Sequence, residues 1–222
     1  NDDGTMARMP DLETFGAKHG IRIVTVEDLI RYRMRNEVLV ERVVDTTIQM
    51  EGLGEFRLCM YQARTEDALH LALSMGDVDS EDPVLTRVAA FCPTGDIFGS
   101  LSCDCRNQLQ LALKQIAEEG RGIFLYMHAN GGVTESLIAR VKSHVGAIDA
   151  KTGAEGGGEL RELGMGAQIL VDLGARRLRL MTNNPRKIVG VQGHGLEVVE
   201  RIPLQIKSTP GNKSYMATKK NK

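Results

Sequence analysis

The spacing of apolar residues changes between Ala90 and Leu109, and this change limits the folds that the chain can adopt. Residues 38–90 follow a period of two, which is typical of β-strands. The clearest run alternates Leu69, Leu71 and Leu73 with His70, Ala72 and Ser74. We expect the leucines to face a core. His70 should lie on the opposite face, at the surface or hydrogen-bonded within the protein, and not as a metal ligand. A second predicted strand, 84–90, leads directly to Cys92.

Helices and strands alternate in the second half of the chain. Apolar residues recur there at the spacing of an amphipathic helix, at Leu109, Ala112, Leu113, Ile116 and Ala117. Gly120 is placed to end that helix. Further runs predict strands at 123–127, 178–181 and 196–199, and helices at 136–145 and 167–173. The alternation favours an α/β fold, in which helices pack on a mixed sheet and a strand-rich N-terminal half precedes them.

Three of the four cysteines, Cys92, Cys103 and Cys105, lie close together in the sequence. Clustered thiolates are common zinc ligands, and three protein ligands leave a fourth coordination position for water. The alternative is a chance cluster of core thiols. Cys59 lies far upstream on a predicted strand, so we expect it to be a core residue and not a ligand. So few cysteines in 222 residues argue against a disulfide framework and for a reducing, intracellular setting.

The composition excludes several functional classes. The formal net charge is -1, whereas a general nucleic-acid-binding protein would carry a basic excess. No apolar run approaches the length of a membrane span, and the first residues do not follow a signal-peptide pattern. We therefore expect a protein that binds neither nucleic acid nor membranes. The chain is long enough for one large domain, or for one domain with an appendage.

A candidate anion site lies at Thr182-Asn183-Asn184-Pro185-Arg186-Lys187, directly after a predicted strand. Pro185 suits the first position of a helix, and the backbone N–H groups at a helix start bind anions. Thr182 and Lys187 would add a hydroxyl and a positive charge. The alternative is a capped surface turn. The preceding segment, 128–164, is rich in glycine, which is more often the mark of a flexible loop than of a phosphate cradle.

Several runs of this sequence resemble the GTP cyclohydrolase II family of riboflavin biosynthesis. These runs are the cysteine motif with Gln108-Leu109 after it, residues 164–170, residues 180–187 and residues 199–204. The resemblance extends from about Glu37 to the C-terminus. It implies a cyclohydrolase II-like domain over residues 37–222, with zinc bound by the three clustered cysteines.

Residues 1–36 differ in character from the rest of the chain. Their pattern predicts a helix at 11–19 ended by Gly20, a strand at 21–24 and a further helix capped by Thr25. The segment resembles the C-terminal end of 3,4-dihydroxy-2-butanone 4-phosphate synthase, which precedes the cyclohydrolase in bifunctional riboflavin proteins. The acidic metal-binding loop of that synthase is absent, so we expect residues 1–36 to be a remnant without activity of its own.

The resemblance also implies roles in GTP turnover. The run Glu159-Leu160-Arg161-Glu162 matches the family's Asp-x-Arg-Asp element, which implies a proton acceptor at Glu159 and a phosphate-directed arginine at Arg161. The implied nucleotide contacts are Arg87, Gln108, Thr182 and Lys187, and Mg²⁺ would accompany the nucleotide. From the residues alone, such a charged run is usually an exposed cluster at a helix start, and the alternative for Arg87 is a surface residue on a strand.

Other positions depart from the family pattern. Ala89-Ala90-Phe91 stands where the family has His-Ser-Glu before the first cysteine. The family's Glu-Gly-Arg element is missing from the loop after Met127, which contains Gly131-Gly132-Val133, and the active-site tyrosine falls at His144. A buried polar group of the guanine base left without its partner costs roughly 1–3 kcal/mol. Several such losses predict weak or absent catalysis.

Two functions from different classes remain. As an enzyme, the protein would open the guanine ring of GTP and release formate and pyrophosphate, as a zinc-dependent homodimer in a bacterial cytoplasm or a plastid. As a non-catalytic relative, it would keep the fold and the zinc and act as a regulatory or scaffold domain for a dihydroxybutanone phosphate synthase. The changed residues near the base also allow a related purine nucleotide as the ligand.

Overall fold

The structure, a computed structural model, describes residues 1, 3–25, 28–29, 32–33, 36–65, 67–128, 157–184 and 195–206, with side chains from Leu163 onward in the segment that begins at Gly157. The strands of these residues are β1 (Val40–Met50), β2 (Gly54–Ala63), β3 (Leu69–Met75), β4 (Val84–Ala90), β5 (Gly122–Met127), β6 (Arg177–Met181) and β7 (Glu197–Ile202). The helices are α1 (Met9–His19), α2 (Pro93–Asp96), α3 (Cys105–Glu119) and α4 (Gly157–Asp172).

The strands form one mixed sheet in the order β1-β2-β3-β5-β4-β6-β7. Neighbours from β1 to β5 are antiparallel, whereas β5, β4, β6 and β7 are mutually parallel. The predicted α/β class and the strand-rich first half are therefore confirmed. The carboxyl ends of β4, β5 and β6 meet at one edge of the sheet and are followed by Phe91, His128 and Thr182. Ligands of α/β sheets bind beyond such an edge.

Helices α3 and α4 pack against separate core clusters of the sheet. The α3 cluster contains Ala112, Leu113, Ile116, Phe56, Leu85, Phe124 and Met181. The α4 cluster contains Met165, Ile169, Leu170, Tyr61, Ala72, Leu125 and Leu178. Phe124 belongs to one cluster and its neighbour Leu125 to the other, because successive strand side chains point to opposite faces. Both faces of the central sheet are thus covered, and this burial supplies most of the driving force for folding.

In strand β3 the alternation of residues predicted the wrong face of the strand to be buried. His70, Ala72 and Ser74 are buried, while the alternating leucines are only half-buried. Packing of the α4 cluster against Ala72 covers the face that the pattern had assigned to solvent. His70 is fully buried, and its Nδ1 accepts a hydrogen bond from the backbone N–H of His128 at 3.2 Å. It is therefore an interior residue with one internal hydrogen bond.

The N-terminal segment confirms the predicted helix at 11–19, and the described residues 28–29 and 32–33 are helical, as predicted for the segment after Thr25. Helix α1 ends at Gly20 in the left-handed conformation, with φ 64°. Thr25 and Asp28 form a reciprocal cap, in which the Asp28 N–H donates to the Thr25 hydroxyl at 3.0 Å. The predicted strand at 21–24 is wrong, because these residues are irregular and pair with no other strand among the described residues.

The start of the sheet is tied to α4 by one amide side chain. Gln168 accepts a hydrogen bond from the backbone N–H of Leu39 at 2.9 Å and donates one to the carbonyl of Glu37 at 2.8 Å.

None of the helices in the described ranges has the length and apolar character that a bilayer-spanning helix requires. The predicted helix at 136–145 lies outside the described residues.

Candidate functional site

The three clustered cysteines converge beyond the carboxyl end of β4. Cys92 is the second residue after this strand, and Cys105 is the first residue of α3. The sulfurs of Cys92, Cys103 and Cys105 all lie within 4.8 Å of one another, and those of Cys92 and Cys103 are 4.0 Å apart. Two thiolates on a tetrahedral zinc, each at about 2.3 Å, would be about 3.8 Å apart. The spacing of the three sulfurs therefore fits such an ion.

The backbone of the cysteine loop is drawn tightly around these sulfurs. Gly95 lies in the short helix α2, and a Cβ built on it would be 2.6 Å from the sulfur of Cys103 and 3.0 Å from the Cβ of Cys105. Only a residue without a side chain fits this position. Cys59 is fully buried in the α4 cluster and does not belong to the thiol group, so its prediction as a core residue is confirmed.

Two thiols of this cluster carry raised pKa values. Burial raises the pKa of Cys103, and a hydrogen bond with Cys92, followed by burial, raises the pKa of Cys105. Crowded thiolates repel one another, so the cluster favours protonated thiols when no cation is bound. A soft divalent cation offsets that repulsion and takes the thiolates as ligands. The donor set thus suits zinc, and the start of α3 adds a partial positive charge beside Cys105.

Asp96 and Tyr126 hold the Cys92 side of the site. The Asp96 carboxylate accepts a hydrogen bond from the backbone N–H of Cys92 at 3.0 Å and another from the hydroxyl of Tyr126 on β5. Burial, followed by this hydrogen bond to Asp96, raises the pKa of Tyr126, so the phenol stays protonated and keeps donating. The loop is therefore anchored to the sheet through a side chain that the sequence did not single out.

Arg87 and Gln108, two of the predicted nucleotide contacts, are brought together in the interior. Arg87 donates to the carbonyl oxygen of Met181 at 2.7 Å and to the side-chain oxygen of Gln108. The side-chain nitrogen of Gln108 donates to the carboxylate of Asp104, between two of the cysteines. Burial lowers the pKa of Arg87, and the nearby Asp104 opposes that shift. The surface position considered for Arg87 is wrong.

Aromatic side chains occupy the adjoining part of the edge. The Phe91 ring lies parallel to His128, with ring centroids 4.7 Å apart, and meets Tyr126 edge-on at 5.5 Å. The backbone N–H of Phe91 donates to the carbonyl of Met127 at 2.8 Å, which fixes the ends of β4 and β5 side by side. Three rings thus fill the space beside Cys92.

The remaining predicted site residues are only partly described. Thr182 is buried at the end of β6, where its hydroxyl accepts a hydrogen bond from the N–H of Asn184 at 3.1 Å. Glu159 and Arg161 lie in the first turns of α4, but their side chains are outside the described residues, as is all of Lys187. The roles of these four residues stay predictions.

Sequence reasoning missed three polar residues around the thiols: Asp96, Asp104 and Tyr126. Asp104 stands between two cysteines, and that adjacency was the one available signal. Asp96 and Tyr126 are 30 residues apart, and the parallel pairing of β4 with β5 brings their segments together.

Comparison with known proteins identifies a matching family model and similar sequences. A family model described as GTP cyclohydrolase II matches residues 41–203. The chain is 45% identical to the riboflavin biosynthesis protein RibBA of Chlorobium phaeovibrioides over 227 residues, covering 100% of this chain and 55% of that protein. It is 46% identical to RibBA of Bacillus subtilis, covering 100% and 57%. The chain therefore spans about half the length of the curated relatives it matches.

A solved structure also resembles the fold. The crystal structure of RibBX, described as a two-domain 3,4-dihydroxy-2-butanone 4-phosphate synthase from A. baumannii, superposes with a TM-score of 0.60. The sequences are 29% identical, and the match covers 93% of this chain and 52% of the other.

Proposed function

The chain belongs to the GTP cyclohydrolase II family, and from that premise we propose that it forms a zinc-binding domain whose ability to open the guanine ring of GTP is weak or lost. The observation that carries the zinc part is the convergence of the sulfurs of Cys92, Cys103 and Cys105 to within 4.8 Å beside the tight turn at Gly95. Bound zinc supplies a Lewis acid that lowers the pKa of a coordinated water.

The phosphate end of a nucleotide would be held by residues that the sequence retains. Thr182 lies at the end of β6, where a hydroxyl and backbone N–H groups can meet an anion. We assign Arg161 and Lys187 to the same task, and Glu159 to proton transfer, with Mg²⁺ neutralising part of the phosphate charge. Ionic contacts of this kind would bind the phosphates of GTP or of a related purine nucleotide. They do not by themselves catalyse ring opening.

The expected loss of turnover rests on the aromatic stack. Phe91 stands where the family has glutamate, and its ring packs on His128 instead of offering a polar group. An apolar ring cannot accept a hydrogen bond from the guanine base, so buried donors of the base would stay unpaired at a cost of about 1–3 kcal/mol each. The absence of the Glu-Gly-Arg sequence after Met127 removes further partners.

A second candidate function is a regulatory or scaffold domain for a dihydroxybutanone phosphate synthase. Residues 1–36 lie outside the matched family model, and they expose a set of large apolar side chains, namely Met6, Met9, Leu12, Phe15, Ile21, Ile23, Val24, Leu29 and Tyr32. We assign this segment to a synthase-like unit and residues 37–222 to the cyclohydrolase-like domain. The name of RibBX, a two-domain synthase, favours the same arrangement. We further propose a homodimer in a reducing, intracellular compartment.

Formate release from GTP tests the catalytic part of this proposal. Purified protein with Zn²⁺ and Mg²⁺ should bind GTP while releasing formate far below 1 per second, the low end of ordinary enzymes. Zinc content is measured on the same preparation, so that a lack of turnover is not confused with a lack of metal. A rate near 1 per second would overturn the proposed loss of catalysis. A metal-loaded protein that neither binds nor turns over GTP would favour the scaffold function.

A further inference from the structure

Three polar side chains link the metal-binding loop to the central sheet. Arg87, Gln108 and Asp104 are 9%, 7% and 2% exposed. Their hydrogen bonds run in one direction, from the Arg87 guanidinium to the Gln108 oxygen and from the Gln108 nitrogen to the Asp104 carboxylate. An arginine only donates and a carboxylate only accepts, so the amide between them has a single satisfactory orientation. We call these three residues the relay.

We infer that Arg87 and Gln108 are positioning residues for the metal-binding loop, and that they hold Cys103 and Cys105 through Asp104. The inference rests on the proposed zinc site. Asp104 is bonded directly to both of these cysteines in the chain, so a displacement of its carboxylate moves both sulfurs. Side chains that fix metal ligands from outside the coordination sphere typically change metal affinity 10–100-fold when they are removed.

Most polar atoms of Arg87 and Gln108 are already hydrogen-bonded within the protein. Two nitrogens of the Arg87 guanidinium are already committed, one to the carbonyl of Met181 and one to Gln108. Both ends of the Gln108 amide are occupied as well. A nucleotide that took over either bonded nitrogen of Arg87, or either end of the Gln108 amide, would have to break a buried chain between a cation and an anion, whereas Arg87 Nε has no hydrogen-bond partner among the described residues. Such chains are costly to leave half-satisfied, because the remaining charge stays buried without a partner.

The fixed end of the relay is the sheet itself. Arg87 lies in β4, and its bond to the Met181 carbonyl reaches the last residue of the neighbouring β6. The Cys92 side of the loop has its own anchor through Asp96 and Tyr126. Each side of the thiol cluster thus has one carboxylate that leads back to a strand, and of the two only Asp104 is buried. The relay serves the Cys103 and Cys105 side.

Substitution of Gln108 tests the inference. Gln108→Leu removes both hydrogen bonds at similar volume, and Gln108→Glu keeps an acceptor for Arg87 but places a second carboxylate against Asp104. The matched control is Gln110→Leu, because Gln110 is exposed on the same helix. Asp104→Asn keeps an acceptor for Gln108 but removes the negative charge at the end of the relay, so it should lower zinc affinity by less than Gln108→Leu. Zinc affinity is measured by competition with a chelator, and ligand geometry by the absorption spectrum of the Co²⁺-substituted protein.

We expect Gln108→Leu and Gln108→Glu to lower zinc affinity about 10–100-fold and to shift the Co²⁺ spectrum. Gln110→Leu should leave both unchanged, and Asp104→Asn should change affinity by less than Gln108→Leu. The inference is overturned if Gln108→Leu weakens GTP binding at saturating metal while zinc affinity and the Co²⁺ spectrum match those of the wild type.

A measurement without metal separates this inference from the zinc proposal. If the wild type binds no zinc, the proposed zinc site fails, but the relay can still be tested through the reaction of its thiols with a disulfide reagent. The relay should restrain Cys103 and Cys105, so they should react faster in Gln108→Leu than in Gln110→Leu. Equal rates in the two variants would overturn the relay.

Discussion

The rings of Phe91 and His128 stack face to face at the edge of the sheet, with centroids 4.7 Å apart and planes 5° apart. The stack joins the ends of β4 and β5 beside Cys92, so it holds these strand ends together next to the thiol cluster. We expect Phe91→Ala to lower the free energy of unfolding by about 2 kcal/mol, because a half-buried ring and its stacking contact with His128 are lost.

Urea denaturation of Phe91→Ala and of a matched variant measures that contribution. Phe98→Ala removes the same side chain from a position that is 81% exposed, so its free energy of unfolding should stay within about 0.5 kcal/mol of the wild type. Equal losses in the two variants would show that the ring stack contributes nothing specific to stability.

Zinc content should depend on the clustered cysteines and not on Cys59. Cys103→Ser removes one thiolate from the cluster, and we expect the zinc bound per chain to fall sharply in elemental analysis. Cys59→Ala removes a buried sulfur from the α4 cluster, and the zinc content should remain that of the wild type. An unchanged zinc content in Cys103→Ser would contradict the ligand assignment.

Much of this fold was predictable because its elements are long and strongly periodic. Helix α3 follows the apolar spacing from Leu109 to Ala117, and β4 occupies the predicted residues 84–90. The thiol cluster was also predictable, since two of its three members are separated by one residue. Local patterns of this kind report the element in which a residue lies and the face that it shares with its neighbours.

The mispredicted features depend on contacts between distant parts of the chain. Ile21 and Ile23 have a strand-like pattern, but no strand among the described residues lies beside them to supply hydrogen bonds, and both remain exposed. His70 is buried by elements far along the sequence from it. Arg87 is interior because β6 and α3 present a carbonyl oxygen and an amide to it. None of these contacts leaves a trace in local spacing.

The glycine in the metal-binding loop should not tolerate a methyl group. A Cβ at Gly95 would overlap the sulfur of Cys103 at 2.6 Å, so Gly95→Ala must displace a ligand, and zinc affinity should fall at least about 10-fold. The matched change is Gly166→Ala in α4, where the new methyl would meet Leu125 at 3.6 Å, an ordinary contact. That variant should keep its zinc and gain about 0.5–1 kcal/mol of stability from helix propensity. Chelator competition and urea denaturation measure the two effects, and equal zinc affinity in both variants would contradict the close approach at Gly95.

Stability should fall with acidification through His70. Burial, followed by the charge of His128, lowers the pKa of His70 to about 4, below the ordinary value of 6.5. The unfolded chain therefore binds a proton at a pH at which the folded protein does not. The contribution of neutral His70 is complete above pH 6.5, decreases as the pH falls through this interval, and is lost near pH 4. Over that range it amounts to about 3 kcal/mol, because one pKa unit corresponds to about 1.4 kcal/mol.

Carboxylates and thiolates also titrate on acidification, so the informative quantity is the difference between the wild type and His70→Gln. Urea denaturation between pH 7.5 and pH 4.5 should show that the wild type loses more stability than His70→Gln, with most of the divergence below pH 6.5. Parallel pH profiles for the two proteins would show that the histidine can be protonated in the fold without cost.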